Sequence, residues 1–142
     1  MTSDGRESEI DDYLAYMRTI RSRIIGDQAD IVMFGFSQGT ATASRWVAHD
    51  AVQPTALVLW AGAIANDLTE EGLSRIRRVP VRLLVAGDDD EYLNEKRIAA
   101  EIRRAEELDV EFDVVRFSGG HAIVSDVLRD VVCRVERAVT DS

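Results

Sequence analysis

Three residue types in this sequence have the chemistry and the order required for nucleophilic catalysis: a serine, a carboxylate and a histidine. Ser37 stands at the centre of a Gly-x-Ser-x-Gly pentapeptide over 35–39, and His121 follows two glycines. A run of aspartates over 88–90 lies between them in the chain. A serine hydroxyl attacks poorly until a histidine takes its proton, and the imidazole needs a carboxylate on its other nitrogen. These residues therefore indicate acyl transfer through a covalent intermediate.

The residues around Ser37 predict a sharp turn between a strand and a helix. An apolar run over 31–36 precedes the pentapeptide, and a helix-forming run follows it over 40–48. In this context the serine stands at the apex of a strained turn, a nucleophile elbow. We expect Gly35 and Gly39 to be needed because Cβ atoms there would collide where the strand and the helix nearly touch. A glycine-serine turn without chemistry is the alternative explanation.

Strands and helices are predicted to alternate along the whole chain. The predicted strands are apolar runs at 31–36, 56–60, 79–86 and 110–117. The predicted helices have apolar residues spaced by three and four and lie at 9–25, 40–48, 92–108 and 122–138. The polar segment 66–78 predicts an excursion with a helical turn. Alternation of this kind favours a parallel sheet because right-handed crossovers lay each helix on a sheet face. We predict one α/β domain over 1–142, a three-layer sandwich with a mostly parallel sheet of about four strands.

Reactive groups in such sheets collect in the loops beyond the carboxyl ends of the strands. Ser37, the aspartates 88–90 and His121 all follow predicted strands. Trp60 also lies at a strand end, where it is either a core residue or a pocket wall that contacts the substrate. Taken alone, His121 also fits a helix-cap histidine. His49 ends the elbow helix and is expected to interact with the helix dipole.

Three segments resemble the signature blocks of the phospholipase/carboxylesterase family, the acyl-protein-thioesterase-like serine esterases of the α/β-hydrolase superfamily. They are Gly-Phe-Ser-Gln-Gly at 35–39, Gly-Asp-Asp-Asp at 87–90 and Phe-Ser-Gly-Gly-His at 117–121. The resemblance implies that Ser37 is the nucleophile, Asp90 the acid and His121 the base. It also implies that the Gln38 amide contributes to the oxyanion hole. Thr40 stands where many relatives have a third glycine.

Other carboxylates compete with Asp90 for the role of the acid. Asp88 is the first alternative. Asp67, after the second strand, is a weaker one because some hydrolases draw their acid from that loop. Asp90 is favoured by its place in the block that resembles the family, and because it lies a few residues past the strand end, from where its carboxylate can bend toward His121. The remaining acidic residues of this turn are expected to cap the next helix in solvent, and no calcium-loop pattern follows that predicts a metal site.

The resemblance covers residues 9–138. Fewer residues precede the elbow in this chain than in members of the family. A complete α/β-hydrolase has several strands before the elbow, and one of the two oxyanion amides comes from a loop after such a strand. We expect this chain to lack those strands, so that the strand ending at Ser37 becomes an apolar sheet edge. The chain is then expected to self-associate through this edge and to hydrolyse esters slowly. A truncated hydrolase-like domain that serves as a binding or assembly module is the alternative function.

Composition and charge narrow the classes of partner. The chain has 142 residues, 46% of them hydrophobic, and a net charge of −9. This charge argues against nucleic acid or an anionic membrane as a partner. The N-terminus lacks the pattern of a signal peptide, and no segment approaches about 18 uninterrupted apolar residues. We expect a cytoplasmic protein that acts on a small ester or thioester without a cofactor or metal. Cys133, the single cysteine, lies in an apolar helical pattern and is expected to be buried and inert.

Overall fold

The computed structural model describes residues 31–49 and 53–140, in which strands and helices alternate. The strands are β1 (Val32–Phe36), β2 (Ala56–Trp60), β3 (Val81–Gly87) and β4 (Asp113–Phe117). The helices are α1 (Gly39–His49), α2 (Glu70–Arg77), α3 (Glu95–Glu107) and α4 (Ser125–Thr140). The helix predicted over 9–25 lies outside the described residues. The single domain over 1–142 stays a prediction.

The described strands form one sheet in the order β1-β2-β3-β4. Every neighbouring pair is parallel, because each connection contains a helix that returns the chain to the same end of the sheet. In this register Phe36 lies opposite Trp60, and Gly87 lies opposite Phe117. The carboxyl ends of the strands therefore meet at one end of the sheet, where the loops that follow them come together. The predicted α/β class with a parallel sheet is confirmed.

β3 and β4 begin later than the apolar runs that predicted them. Val79 and Val110, which we expected in strands, donate their amides to Ile76 at 3.1 Å and to Ala105 at 2.9 Å, the ends of the preceding helices. Both valine side chains are fully buried. They are apolar because they close the helix ends over the core, not because they belong to the sheet. Pro80, which has no amide to donate, then precedes β3.

Helices cover both faces of the sheet. On one face, helices α1, α2 and α3 form a buried cluster with the strands that includes Met33, Leu57, Leu59, Leu84, Ala43, Val47, Leu73, Ile76 and Ile98. On the other face, α4 forms a second cluster that includes Val58, Trp60, Val85, Phe117, Val131 and Val135. The same strands contribute to both clusters because successive side chains point to opposite faces. This is the predicted three-layer sandwich.

β1 is the outer strand of the described sheet, and one of its faces is poorly covered. Among the described strands, β1 pairs with β2 alone. On the face that α4 covers elsewhere, Val32 is 48% exposed and Phe34 is 38% exposed. Met33, on the opposite face, is 9% exposed. Within the described part of the chain, β1 is therefore the apolar edge that the sequence predicts.

The prediction that Cys133 is buried is wrong, because its side chain is exposed. Among the α4 residues whose burial is described, Val131 and Val135 are the buried ones, and they lie about one helical turn apart. Cys133 lies between them, about 200° around the helix from each, and so faces solvent. Val132, which also belongs to the apolar pattern, is 46% exposed. The apolar pattern of α4 is thus wider than the stripe that is actually buried.

Candidate active site

Ser37 lies in the tight turn between β1 and α1. Its φ is 57°, in the left-handed region that residues other than glycine rarely occupy. The Ser37 amide donates to the Trp60 carbonyl at 2.8 Å, which ties the turn to the end of β2. The amide and the hydroxyl of Thr40 both donate to the Ser37 carbonyl, at 3.1 and 2.6 Å. Thr40, which stands where the resemblance would place a third glycine, therefore helps to hold the strained turn.

The two glycines of the pentapeptide have different roles. A Cβ atom on Gly35 would lie 2.7 Å from the carbonyl carbon of Gly39 and 2.8 Å from the Cα atom of Thr40. Glycine is required at this position because β1 and α1 touch there. A Cβ atom on Gly39 would meet no heavy atom within 4 Å. The predicted steric need for glycine is therefore confirmed at Gly35 and wrong at Gly39.

His121 joins Ser37 to Asp90 through its two ring nitrogens. Nε2 lies 2.9 Å from Ser37 Oγ, and Nδ1 lies 2.8 Å from Asp90 Oδ2. A carboxylate can only accept hydrogen bonds, so Nδ1 donates to Asp90. In the neutral ring Nε2 is then unprotonated and can accept the proton of the Ser37 hydroxyl. Because both nitrogens contact side chains, the helix-cap alternative for His121 does not describe this geometry.

Asp90 is buried, and both of its carboxylate oxygens are engaged. Its side chain is 0% exposed. While Oδ2 faces His121, Oδ1 accepts the amides of Tyr92 at 2.8 Å and Leu93 at 2.9 Å. Burial alone would raise the pKa of Asp90, but the hydrogen bonds from Leu93, His121 and Tyr92 outweigh burial and lower the pKa below its usual value. Asp90 is therefore ionised at neutral pH and can stabilise a protonated His121.

The competing residues lie elsewhere and have other partners. Asp88 is about half exposed and pairs with Arg116 at 3.0 Å. Asp67 pairs with Arg45 at 3.1 Å. His49 is exposed at the last position of α1. Of the carboxylates considered as the acid, the structure brings only Asp90 to the imidazole.

Backbone contacts join the loops that follow β3 and β4. The Asp89 amide donates to the Gly119 carbonyl at 2.9 Å. Gly87, at the end of β3, lies so close to the second loop that a Cβ atom there would be 2.6 Å from the carbonyl oxygen of Gly120. The contact between β3 and β4 thus continues beyond the strands. It fixes Asp90 and His121 relative to one another, which a proton transfer between fixed partners would require.

The Gln38 amide directly follows Ser37 at the start of α1. It donates a hydrogen bond to no other residue in the described part of the chain. A backbone N–H in this position, near the positive end of a helix dipole, can stabilise a negatively charged oxygen.

Trp60 was predicted to be either a core residue or a substrate contact, and the structure places it in the core. Its side chain is 0% exposed, so it offers no surface to a substrate. Its ring packs against Phe34 and Phe117, with centroids 5.9 and 5.7 Å away. Its indole N–H donates to the Ala122 carbonyl at 3.0 Å. Through this hydrogen bond, Trp60 contacts the loop that carries His121 from the side of the core.

A groove of about 310 Å³ contains Ser37 and His121. The loop after β2 (61–66) lines it, together with Tyr92, whose ring lies 4.8 Å from the His121 ring. The charged residues of its lining are Arg45, Arg97, Glu101 and Arg104. These arginines could not be identified from the sequence, because nothing in their spacing distinguishes them from the other arginines of the chain. The groove gives a substrate access to the serine hydroxyl.

Between 31 and 49 and between 53 and 140, no three histidine, cysteine or carboxylate side chains are arranged to hold a metal ion. None of the helices that the structure describes has the length and apolar character needed to cross a bilayer.

Solved structures with this architecture include esterases and thioesterases. Esterase PE8 aligns with a TM-score of 0.67 at 21% identity, over 95% of this chain and 62% of that chain. Acyl-protein thioesterase 2 from Zea mays aligns with a TM-score of 0.67 at 19% identity, over 91% of this chain and 64% of that one. SOBER1 from Arabidopsis thaliana aligns with a TM-score of 0.70 at 18% identity, over 94% and 66%. No family model and no curated protein sequence matches this chain.

These identities are low, so the likeness establishes the fold alone. The chain spans 62% to 66% of the length of the three solved structures. The described strands and helices are therefore part of an α/β-hydrolase fold.

Proposed function

We propose that this protein is a serine hydrolase that cleaves carboxylic esters or thioesters through an acyl-enzyme. The observation that carries the proposal is the unbroken hydrogen-bonded chain from Ser37 Oγ to His121 Nε2, at 2.9 Å, and from His121 Nδ1 to Asp90 Oδ2, at 2.8 Å. These distances suit a nucleophile and its base, with an acid that orients the base. The esterases and thioesterases among the structural neighbours support the same class of reaction.

In the proposed mechanism, Ser37 Oγ attacks the carbonyl carbon of the substrate while His121 Nε2 accepts the hydroxyl proton. Asp90, ionised and hydrogen-bonded to Nδ1, stabilises the imidazolium that forms. The tetrahedral intermediate collapses when the C–O or C–S bond breaks, and His121 donates its proton to the departing alcohol or thiol. Water, deprotonated by His121, then attacks the acyl-serine and releases the carboxylic acid.

The negative charge of the tetrahedral intermediate requires hydrogen-bond donors. We assign the Gln38 amide as one donor. α/β-Hydrolases take a second amide from a loop after an earlier strand, and the described sheet begins at β1. Loss of one such donor lowers turnover by about 10²- to 10³-fold. Three further features remain predictions. They are a cytoplasmic location, a small ester or thioester as the substrate, and activity without a cofactor.

A fluorophosphonate probe tests the nucleophile, because it reacts covalently only with an activated serine. We expect the probe to label the wild-type chain and Ser37→Ala to abolish the labelling. Ser118→Ala is the matched control, since Ser118 is an exposed serine in the loop that leads to His121. It should be labelled as fast as the wild type. Equal labelling of wild type and Ser37→Ala would show that Ser37 is not the nucleophile.

The partly exposed apolar face of β1 favours a second candidate function, a binding or assembly module. Val32 and Phe34 expose apolar surface on an outer strand, and such edges pair readily with other chains. We expect the chain to self-associate there in sedimentation experiments. Val32→Lys should weaken the association, whereas Val132→Lys, at a similarly exposed valine of α4, should not. A monodisperse wild-type monomer would contradict the assembly through β1.

A further inference from the structure

The groove that contains Ser37 differs in charge from the protein as a whole. The chain has a net charge of −9. The charged side chains that line the groove are nevertheless three arginines and one glutamate, namely Arg45, Arg97, Arg104 and Glu101. A positive lining in an acidic protein attracts anionic ligands to that place and away from the rest of the surface.

Two of these arginines are neutralised by carboxylates of the protein. Arg45 is buried and pairs with Asp67, with 3.1 Å between Nε and Oδ1. Arg104 pairs with Glu101 at 2.8 Å and donates to the Ile64 carbonyl at 2.5 Å. Both side chains hold the loop after β2 in place. Neither leaves an unbalanced positive charge in the groove.

Arg97 lines the same groove as His121 and, among the described residues, has no carboxylate partner. Its Nη1 donates to the Tyr92 carbonyl at 2.7 Å, and the Tyr92 ring lies 4.8 Å from the His121 ring. Within 31–49 and 53–140, no Asp or Glu forms an ion pair with Arg97. A guanidinium has about five N–H donors in a planar fork, so one carbonyl leaves most of them available. The side chain is exposed and can therefore reach a ligand.

We propose that the substrate carries an anionic oxygen group, a carboxylate or a phosphate, and that Arg97 binds this group beside the reacting ester. The inference rests on the proposed hydrolase function and narrows its substrates to anionic esters or thioesters. The planar fork of a guanidinium matches two oxygens of such a group. The anion belongs either to the acyl group or to the leaving group, since both extend from the carbonyl that Ser37 attacks.

Matched chromogenic esters distinguish these two sources. 4-Nitrophenyl hydrogen succinate carries a carboxylate on the acyl group, and 3-carboxy-4-nitrophenyl pentanoate carries one on the leaving group. 4-Nitrophenyl pentanoate is the neutral reference for both. We expect Arg97→Gln to lower the ratio of kcat/KM for one anionic ester to that for the neutral ester by about three- to tenfold, the range for an exposed charge-assisted contact. The ester that responds identifies the source of the anion.

Arg103→Gln is the matched control for charge. Arg103 is an exposed arginine of the same helix, α3, and does not line the groove. Its removal changes the net charge equally and should leave both ratios unchanged. Arg97→Lys should restore part of the preference, because it keeps the charge and loses the fork. The proposal is overturned if Arg97→Gln affects anionic and neutral esters equally, or if Arg103→Gln lowers the ratios as much.

A binding measurement separates this proposal from the hydrolase function. In the Ser37→Ala chain, which cannot turn over, the NMR resonance of the Arg97 Nε–H group should shift on titration with monomethyl succinate and not with methyl butyrate. An unreactive Ser37 together with this shift would reject the hydrolase and keep the anion site. A reactive Ser37 without the shift, and without a change in the ester ratios, would reject the anion site alone.

Discussion

The two sides of Ser37 are built from different parts of the sheet. On one side, His121 and Asp90 are fixed by hydrogen bonds within the loops that follow β3 and β4. On the other side lies the Gln38 amide, next to the outer strand β1, one face of which is poorly covered. In the proposed mechanism, the described residues thus supply a complete arrangement for proton transfer and one hydrogen-bond donor for the oxyanion. The proposed proton-transfer residues are held by contacts within the described chain, whereas the proposed oxyanion donor lies beside a strand with partly exposed apolar side chains.

The largest expected effect tests the proton-transfer side. Asp90→Asn keeps the shape of the side chain but removes the charge that holds His121 in the correct tautomer. We expect kcat for ester hydrolysis to fall by about 10⁴-fold, as for other triad carboxylates. Asp88→Asn should have a much smaller effect, because Asp88 pairs with Arg116 and not with the imidazole. The opposite ranking of the two variants would transfer the acid role to Asp88.

The next largest expected effect concerns the turn between β1 and α1, which positions Ser37 relative to both His121 and the Gln38 amide. A Cβ atom on Gly35 would press on backbone atoms of Gly39 and Thr40, and these cannot move without displacing Ser37. Gly35→Ala should lower turnover by about 10²-fold, the effect of a displacement of about 1 Å in an active site. It should also reduce the free energy of unfolding by about 1–3 kcal/mol, as overpacking does.

Gly39→Ala is the control for Gly35→Ala within the same pentapeptide. Its Cβ atom would enter open space, so we expect turnover and stability close to those of the wild type. Urea denaturation and an ester assay on both variants provide the comparison. Equal losses in the two variants would mean that the contact between β1 and α1 does not determine the position of Ser37.

The fold was largely predictable because apolar runs separated by helical periods determine an alternating α/β chain. The three residues that the structure brings together were predictable for a related reason: Ser37, Asp90 and His121 all follow strands whose carboxyl ends meet. Residue types did not indicate which apolar residues are buried. Cys133 faces solvent because the buried stripe of α4 is narrow.

Other features depend on distances that a sequence does not contain. Val79 and Val110 look like strand residues because burial at a helix end requires the same apolar side chains as burial in a sheet. Gly35 and Gly39 differ in the atoms that a Cβ would meet, which are backbone atoms of α1 at Gly35 and none within 4 Å at Gly39. Within the described part of the chain, Arg97 differs from Arg45 and Arg104 because its partner is a carbonyl and not a carboxylate.

The smallest expected effect concerns Trp60, which connects the core to the proton-transfer side. Its indole N–H donates to the Ala122 carbonyl, next to His121. Trp60→Phe keeps an aromatic ring and removes this donor, so we expect kcat to fall by about fivefold, the equivalent of one hydrogen bond. Val58→Ala, in the same buried cluster, should destabilise the fold without this fall in kcat. If Val58→Ala lowers kcat as much as Trp60→Phe does, Trp60 supports the site through general stability and does not position the His121 loop.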